Sequence, residues 1–264
     1  MDRQKQPFNP LFALLAAIAA LFFVFLLIGL VTGAPWGRIT NVITSPTSLD
    51  ALSLSLVASL VSTALALLFG FPLAWLLARG QFRGKGLLRG LTTLPMVLPP
   101  VVGGIALLLA YGRRGIIGEP LDNATGITLP FTLAGVIVAE SFVAMPFFVI
   151  TVESGLRSMN RRLEDAARSL GASRWTVFYR VTLPLIWPSL AAGAVLTWAR
   201  ALGEFGATIT FAGNLPGVTQ TMPLAIYISQ SSGQTDEAIA LSLILVLVSL
   251  VVMVFRRGDR AGAD

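Results

Sequence analysis

Cysteine and histidine are both absent from this chain of 264 residues. Their absence excludes disulfides, thiolate nucleophiles, zinc sites built on Cys and His, and imidazole acid–base chemistry, and we expect no metal site. Charge is also scarce, because 12% of the residues are Asp, Glu, Lys or Arg, against about 25% in a typical soluble domain. With 55% hydrophobic residues, the composition predicts an integral membrane protein.

Six long apolar runs predict an all-α membrane protein with six transmembrane helices. A helix needs about 20 apolar residues to cross the hydrocarbon layer. The runs cover residues 11–31, 52–78, 90–111, 129–150, 189–212 and 238–255. The first run exceeds the roughly 7–15 residues of a signal-peptide core, so we expect it to remain as a span. The predicted transmembrane domain therefore covers residues 11–256, between an N-terminal stretch, 1–10, and a tail, 257–264.

Lys and Arg are concentrated in alternate loops, which sets the predicted orientation. Fifteen of the 19 lie at the two termini, in the second loop and in the fourth loop, residues 153–187, whereas the intervening loops hold three. Because loops rich in Lys and Arg stay inside, both termini and the 153–187 loop are predicted to be cytoplasmic. Topology thus accounts for the net charge of +6, and we expect membrane lipid, not nucleic acid, around the chain.

Three serines recur at helical spacing in the second predicted span. Ser55, Ser59 and Ser62 fall on one face of a helix. Two interpretations are open at this point: the hydroxyls hold neighbouring helices together, or they form a polar wall of a translocation path.

Helix-breaking residues mark the second and third spans. Gly70 and Pro72 predict a kink near the inner end of the second span. Pro95, Pro99 and Pro100 open the third span, and a proline inside a regular helix removes a backbone hydrogen bond. In lipid the freed carbonyl groups need protein or water as partners, so the start of the third span is predicted to be broken and to face other helices.

The stretch DAARSLGASRWTVFYRVTLP, residues 165–184, is rich in arginine and small residues and lies between two apolar spans. We call it the DAA segment. Residues 164–170 predict a short helix that ends at a left-handed Gly171. Ser173 is the predicted N-cap of a second helical turn, and Pro184 is expected to interrupt the helical pattern near the membrane.

Two interpretations of the DAA segment are open on physical grounds. One is an amphipathic helix held on the inner leaflet by its arginines and by Trp175 and Phe178. The other is a docking site, because Ala166 and Ala167 leave the helix backbone bare and another surface can approach it closely.

The DAA segment resembles the cytoplasmic signature of the permease subunits of ABC importers. In that signature E-A-A is followed after three residues by G, and after nine more by I-x-L-P. The matching residues are Asp165, Ala166, Ala167, Gly171, Val181, Leu183 and Pro184. Asp replaces Glu, Val replaces Ile, and Glu164 stands one place early. The resemblance implies a type I importer permease fold and a coupling helix that docks in a cleft of an ATP-hydrolysing subunit.

The same resemblance implies a set of partners. It implies two permease copies and two ATPase subunits, supplied by an extracytoplasmic binding protein, in the inner (plasma) membrane of a prokaryote. ATP and Mg would belong to the ATPase partner, so we expect this chain to bind no cofactor and to carry no catalytic residue.

A narrower resemblance covers residues 199–227, ARALGEFGATITFAGNLPGVTQTMPLAIY. This stretch is similar to the molybdate permease branch, a close relative of the sulfate permeases, with which it shares G-E-(F/Y)-G followed by A-G-N. The two resemblances together extend over most of the chain, including TLPMVLPPVVGG at residues 93–104. They imply molybdate as the cargo, with tungstate and sulfate or thiosulfate as alternatives.

Two charged residues lie within the fifth predicted span. A charge at the centre of a membrane helix costs about 2.5–3.5 kcal/mol on insertion scales, and Arg200 and Glu204 are one helical turn apart, so they can neutralise each other. Either the pair fixes helix register, or Arg200 and the hydroxyls of Thr208 and Thr210 contact a passing oxyanion. Glu204 would repel an anion, which favours a structural role for that residue. The small residues expected to admit a neighbouring helix are Ala199, Gly203, Gly206 and Ala207.

Two other classes of protein are alternatives on the sequence alone. A membrane enzyme would need catalytic groups within the bilayer, and without His or Cys the candidates are Glu140, Arg200 and Glu204. An ion-coupled secondary transporter would use Glu140 or Glu204 as a proton site, and its helices would be interrupted in corresponding halves. The chain shows no inverted repeat of that kind, so an ATP-driven importer is the favoured class.

Overall fold

The computed structural model describes residues 10–258, and every regular element within that range is helical. The helices are α1 (Pro10–Thr32), α2 (Ile39–Ile43), α3 (Pro46–Leu65), α4 (Phe71–Arg79), α5 (Lys85–Val97), α6 (Pro100–Tyr111), α7 (Gly118–Thr125), α8 (Leu133–Ser158), α9 (Arg162–Ser169), α10 (Arg174–Val177), α11 (Leu183–Leu202), α12 (Gly206–Phe211), α13 (Met222–Ser231) and α14 (Thr235–Gly258). Two π-helical turns, π1 (Ala66–Gly70) and π2 (Phe178–Thr182), connect α3 to α4 and α10 to α11. The all-helical prediction is confirmed.

Five helices of the described range are long and apolar enough to cross a membrane. They are Pro10–Thr32, Pro46–Arg79, Leu133–Ser158, Arg174–Leu202 and the helix that begins at Thr235. The predicted third span has no single long helix, because it is divided into α5 and α6. At 1.5 Å per residue the 12 residues of α6 extend about 18 Å, short of the roughly 30 Å hydrocarbon layer.

The division of the third span lies at Leu98 and Pro99, between α5 and α6. Pro100 occupies the first turn of α6, where a missing N–H is tolerated. The expectation for Pro95 was wrong, because Pro95 lies inside α5. It lies two residues before Val97, the last residue of that helix, so the hydrogen bond that it removes belongs to the final turn.

The second long helix begins at Pro46 instead of at residue 52. The Ser45 hydroxyl accepts a hydrogen bond from the Ser48 N–H at 3.3 Å, and Pro46 follows as the first helical residue, which is a favoured helix start. Where a kink was predicted at Gly70 and Pro72, the structure has the wide turn π1. Pro72 lacks the N–H that a regular ladder would use there.

The fifth predicted span differs most from the structure. The helix begins at Arg174, not at residue 189, and ends at Leu202, not at residue 212. Pro184 does not interrupt it, because this proline lies in the first turn of α11, directly after π2. The 153–187 loop is accordingly largely helical, since α8 continues to Ser158 and α9 and α10 follow.

Helix α8 forms the centre of the bundle. Phe148 is fully buried among Leu77 of α4, Leu156 of α8 and Ile186 of α11. Small residues bring α8 and α11 together, because a Cβ on Gly155 would lie 2.3 Å from the Ser189 hydroxyl. Helix α1, in contrast, has no buried residue.

Candidate functional site

The DAA segment forms two short helices at one end of the bundle. Helix α9 ends before Gly171, whose φ of +85° is left-handed, as predicted. Ser173 caps α10, because its hydroxyl accepts a hydrogen bond from the Thr176 N–H at 3.2 Å. This prediction is also confirmed.

The outward face of the segment is open and includes large apolar side chains. Leu170 is 89% exposed and Trp175 is also exposed, as is Leu163, which precedes the segment in α9. Ala166 lies on the same exposed surface, with Ala167 partly covered. Exposed small and apolar side chains suit the approach of a second protein.

Glu164 faces the bundle, whereas Asp165 faces outward. The Glu164 side chain is 7% exposed, and its Oε1 accepts hydrogen bonds from Arg79 Nη2 at 3.1 Å and from Thr182 Oγ1 at 2.7 Å. The Asp165 side chain is 68% exposed and lies 3.4 Å from Arg168. Sequence reasoning noted Glu164 only as a displaced acid; the available signal was its position, since neighbours on a helix differ by about 100° in direction.

Aromatic rings hold π2 against α4. The Phe178 ring lies 5.6 Å from Trp75 and 6.1 Å from Phe71, both in edge-on geometry. Phe178 is therefore half-buried against α4, whereas Trp175 is exposed and stands edge-on to it at 6.3 Å. The remaining motif residues continue into α11: Val181 and Leu183 are half-buried and Pro184 is exposed.

A second ionic network stabilises the same end of the bundle. Glu153 of α8 pairs with Arg89 of α5 and, at 2.8 Å, with Arg157 one turn along its own helix. Arg157 also donates to the Leu77 carbonyl oxygen at 3.2 Å. These bonds connect α4, α5 and α8.

The three serines of the second span are all buried. Ser55 Oγ accepts a hydrogen bond from the Met222 N–H at 2.7 Å, which fixes the start of α13 against α3. Ser62 Oγ lies 3.1 Å from the Ile137 carbonyl oxygen and 3.2 Å from Glu140 Oε2, both on α8. Ser59 bonds only within its own helix, to the Leu56 carbonyl oxygen at 3.2 Å. Two of the three hydroxyls thus connect helices.

Arg200 and Glu204 are in contact, although they do not share one helix. Glu204 lies in the break between α11 and α12, and its Oε2 is 2.5 Å from Arg200 Nη2. The other oxygen, Oε1, accepts a hydrogen bond from the Ala207 N–H at 2.8 Å. Glu204 is 1% exposed, so a single buried carboxylate compensates the arginine and caps α12.

The breaks in the third and fifth predicted spans meet each other. A Cβ on Gly206 would lie 2.7 Å from Pro100, and one on Gly104 would lie 2.6 Å from Thr210. Gly203 does not take part, because it is exposed and no atom of another helix lies within 4 Å of its Cβ position.

The two threonines of α12 differ in their hydrogen bonds. Thr210 Oγ1 donates to the Gly206 carbonyl oxygen at 2.8 Å. Thr208 is fully buried, and its Oγ1 has no hydrogen-bond partner among residues 10–258. The structure therefore brings Arg200, Glu204 and both threonines to one interrupted part of the bundle.

Long apolar helices and two interrupted spans define a multi-pass membrane protein. Residues 66–258 match the family described as the inner membrane component of binding-protein-dependent transport systems. The chain belongs to this family of permeases and is a multi-pass protein of the inner membrane.

Relatives of known assignment agree with this family. The chain is 47% identical to the molybdenum transport system permease protein ModB of Mycobacterium tuberculosis, over 92% of each chain. It is 45% identical to the protein of the same name from Escherichia coli K12, over 77% of this chain and 90% of that one. The sulfate transport system permease protein CysW of Synechococcus elongatus is 41% identical over 78% of this chain and 72% of its own length.

Solved structures of ABC transporters share the fold. A bacterial transporter involved in the import of the acidic polysaccharide alginate superimposes with a TM-score of 0.72 at 22% identity, covering 96% of each chain. An inward-facing methionine transporter gives a TM-score of 0.61 at 20% identity, covering 82% of this chain and 96% of the other. The fold is that of the ABC importer permeases.

Proposed function

We propose that this chain is the permease subunit of an ATP-driven importer that carries molybdate into a prokaryotic cell. The observation that carries the proposal is the 47% identity to a molybdenum transport permease over 92% of both chains. Tungstate, a tetrahedral dianion of nearly the same size, and sulfate or thiosulfate are the alternative cargoes. The sulfate alternative has its own support in the 41% identity to a sulfate permease.

The proposed assembly contains two copies of this chain, two ATPase subunits and an extracytoplasmic binding protein. The exposed face of the DAA segment is the proposed contact with the ATPase, because it presents the apolar side chains of Leu170 and Trp175 and the small Ala166 to the outside. ATP and Mg are bound and used on that partner, and the permease itself has no catalytic role. Six spans, with the third built from α5 and α6, and two cytoplasmic termini complete the proposed topology.

Alternating access is the proposed mechanism. ATP binding brings the two ATPase subunits together, the attached DAA segments move with them, and the helices rotate to open the path outward. Hydrolysis returns the path to the inward-facing state. The DAA segment can drive this movement because Phe178 and Glu164 fix it to α4.

Weak contact with the dianion within the membrane agrees with this mechanism. Arg200 is the one basic residue inside the predicted spans, and its charge is compensated by Glu204 at 2.5 Å. A translocation path without a free cation releases an anion readily. Tight binding of molybdate is then the role of the extracytoplasmic binding protein.

Anion competition in a reconstituted complex tests the proposed function. Liposomes that contain the permease, its ATPase and its binding protein are expected to accumulate labelled molybdate only with ATP, and an uncoupler should not reduce uptake. Excess tungstate should compete and excess sulfate should not. Uptake that collapses with the proton gradient while ATP is intact would contradict the ATP-driven mechanism, and competition by sulfate alone would contradict the assigned cargo.

A further inference from the structure

Glu164 joins three helical elements through one carboxylate oxygen. Its Oε1 accepts from Arg79 Nη2 at 3.1 Å and from Thr182 Oγ1 at 2.7 Å. Glu164 belongs to α9, Arg79 is the last residue of α4, and Thr182 is the last residue of π2. One oxygen thus connects the short helix α9 to the end of Pro46–Arg79 and to the first part of Arg174–Leu202.

This connection is the polar attachment of α9 to the bundle. Within residues 10–258, no other α9 side chain forms a hydrogen bond or ion pair with another helix. Asp165 and Arg168 pair with each other on the surface. The outward face, with Leu163 and Ala166, contains none of the three linked groups.

Burial makes the connection stiff. The Arg79 side chain is 13% exposed, its Nε has no partner within the described residues, and its guanidinium lies 5.7 Å from the Trp75 ring. A largely buried cation is strongly destabilised when its counter-charge is removed. Thr182 is 1% exposed, so its hydroxyl also depends on the Glu164 acceptor.

We propose that Glu164 is a positioning residue that transmits movement of the DAA segment to the long helices Pro46–Arg79 and Arg174–Leu202. Asp165 and the apolar face then serve the partner, while Glu164 serves the transmission within the chain. The inference rests on the proposed function, since it assumes an ATPase that moves the segment. It assigns neighbouring carboxylates to different steps, docking and transmission.

Uptake per ATP hydrolysed, measured in proteoliposomes of the full complex, tests this proposal. Glu164→Gln removes the charge at nearly constant size, and Thr182→Val removes the hydroxyl at constant shape. Both variants should retain the ATPase on co-purification, because the docking face is unaltered. Molybdate taken up per ATP should fall about fivefold or more, the lower end of typical coupling between sites.

Two control variants separate transmission from general damage. Thr182→Ser keeps the hydroxyl and should retain the wild-type ratio of uptake to hydrolysis. Asp122→Asn breaks the Arg113–Asp122 ion pair, 2.9 Å long and remote from the segment, and should also retain it. An unchanged ratio in both Glu164→Gln and Thr182→Val would overturn the proposal. Loss of the ATPase from either complex would overturn it too, because the linked groups would then serve docking.

A measurement without cargo keeps the proposal separate from the proposed function. Melting temperatures of the full chain in detergent are compared for Arg79→Gln, Glu164→Gln and the double variant. The double variant should be destabilised clearly less than the sum of the single shifts; additive shifts would overturn the linkage. Wild-type vesicles that take up no molybdate would count against the proposed function, and the thermal cycle would still decide the linkage.

Discussion

Ser55 and Ser59 are matched residues with different partners. Ser55 Oγ accepts a hydrogen bond from the Met222 N–H, which links α3 to α13, whereas the Ser59 hydroxyl forms a hydrogen bond within its own helix. Ser55→Ala leaves a buried N–H unsatisfied, which costs about 1–3 kcal/mol. We therefore expect a lower melting temperature for purified Ser55→Ala, while Ser59→Ala stays close to wild type. Equal losses in the two variants would show that the contact between α3 and α13 is not what the hydroxyl supports.

Arg200 is expected to stabilise the chain through Glu204. Arg200→Leu leaves the buried Glu204 carboxylate without its cation, and removal of one partner of a buried pair costs about 3–5 kcal/mol. We expect Arg200→Leu to reduce membrane abundance, and Arg200→Leu combined with Glu204→Gln to restore much of it. Abundance is measured by immunoblot of isolated membranes. An abundant Arg200→Leu variant that transports nothing would assign the charge to the translocation path.

The sequence predicted which residues lie near the site better than it predicted the contacts that each of them makes. The spacing of Arg200 and Glu204 gave their ion pair, and Gly171 gave the left-handed turn. Which of two neighbouring carboxylates faces inward depends on how α9 packs against α4, and a local pattern contains no such information. For that reason Glu164 was not among the predicted site residues, and Asp165 was.

Gly171 and Gly84 form a natural pair for testing the docking helix. Both have a left-handed φ, +85° and +89°, and open space at the Cβ position. Aspartate at either position costs about 1–2 kcal/mol in backbone strain, but only position 171 lies in the DAA segment. We expect Gly171→Asp to reach the membrane and to lose the ATPase on co-purification, whereas Gly84→Asp retains it. Retention by Gly171→Asp with normal uptake would contradict a docking role.

The apolar runs predict the bounds of some helices well and of others poorly. The apolar run 11–31 corresponds to helix Pro10–Thr32. This helix has no buried residue, so its bounds follow the hydropathy of the sequence. The helix that overlaps the fifth predicted span begins and ends earlier than the apolar run. Its start lies in the polar stretch from Arg174, which π2 and the aromatic contacts hold in helical form. Its end is set by Glu204, whose side chain supplies the Ala207 N–H with an acceptor outside the helix ladder.

The whole molecule offers a direct test of its orientation, because the chain contains no cysteine. Single cysteines can be placed at Asn123 in α7 and at Ser169 in α9, both exposed. Positive-inside topology places them on opposite sides of the membrane. A membrane-impermeant maleimide should label Asn123→Cys in intact cells and Ser169→Cys only after permeabilisation. Labelling of both in intact cells would contradict the proposed topology.

The wide turn π1 sets the angular alignment of the longest helix. Upstream of it, Ser62 meets Glu140 on α8, and downstream, Arg79 meets Glu164 on α9. A π turn absorbs one extra residue, so an unbroken α-helix of equal length would turn Arg79 about 100° away whenever Ser62 kept its place. Ser62 and Arg79 can reach their partners at the same time only because π1 contains the extra residue. Deletion of one residue there would allow either the Ser62–Glu140 contact or the Arg79–Glu164 contact, but not both.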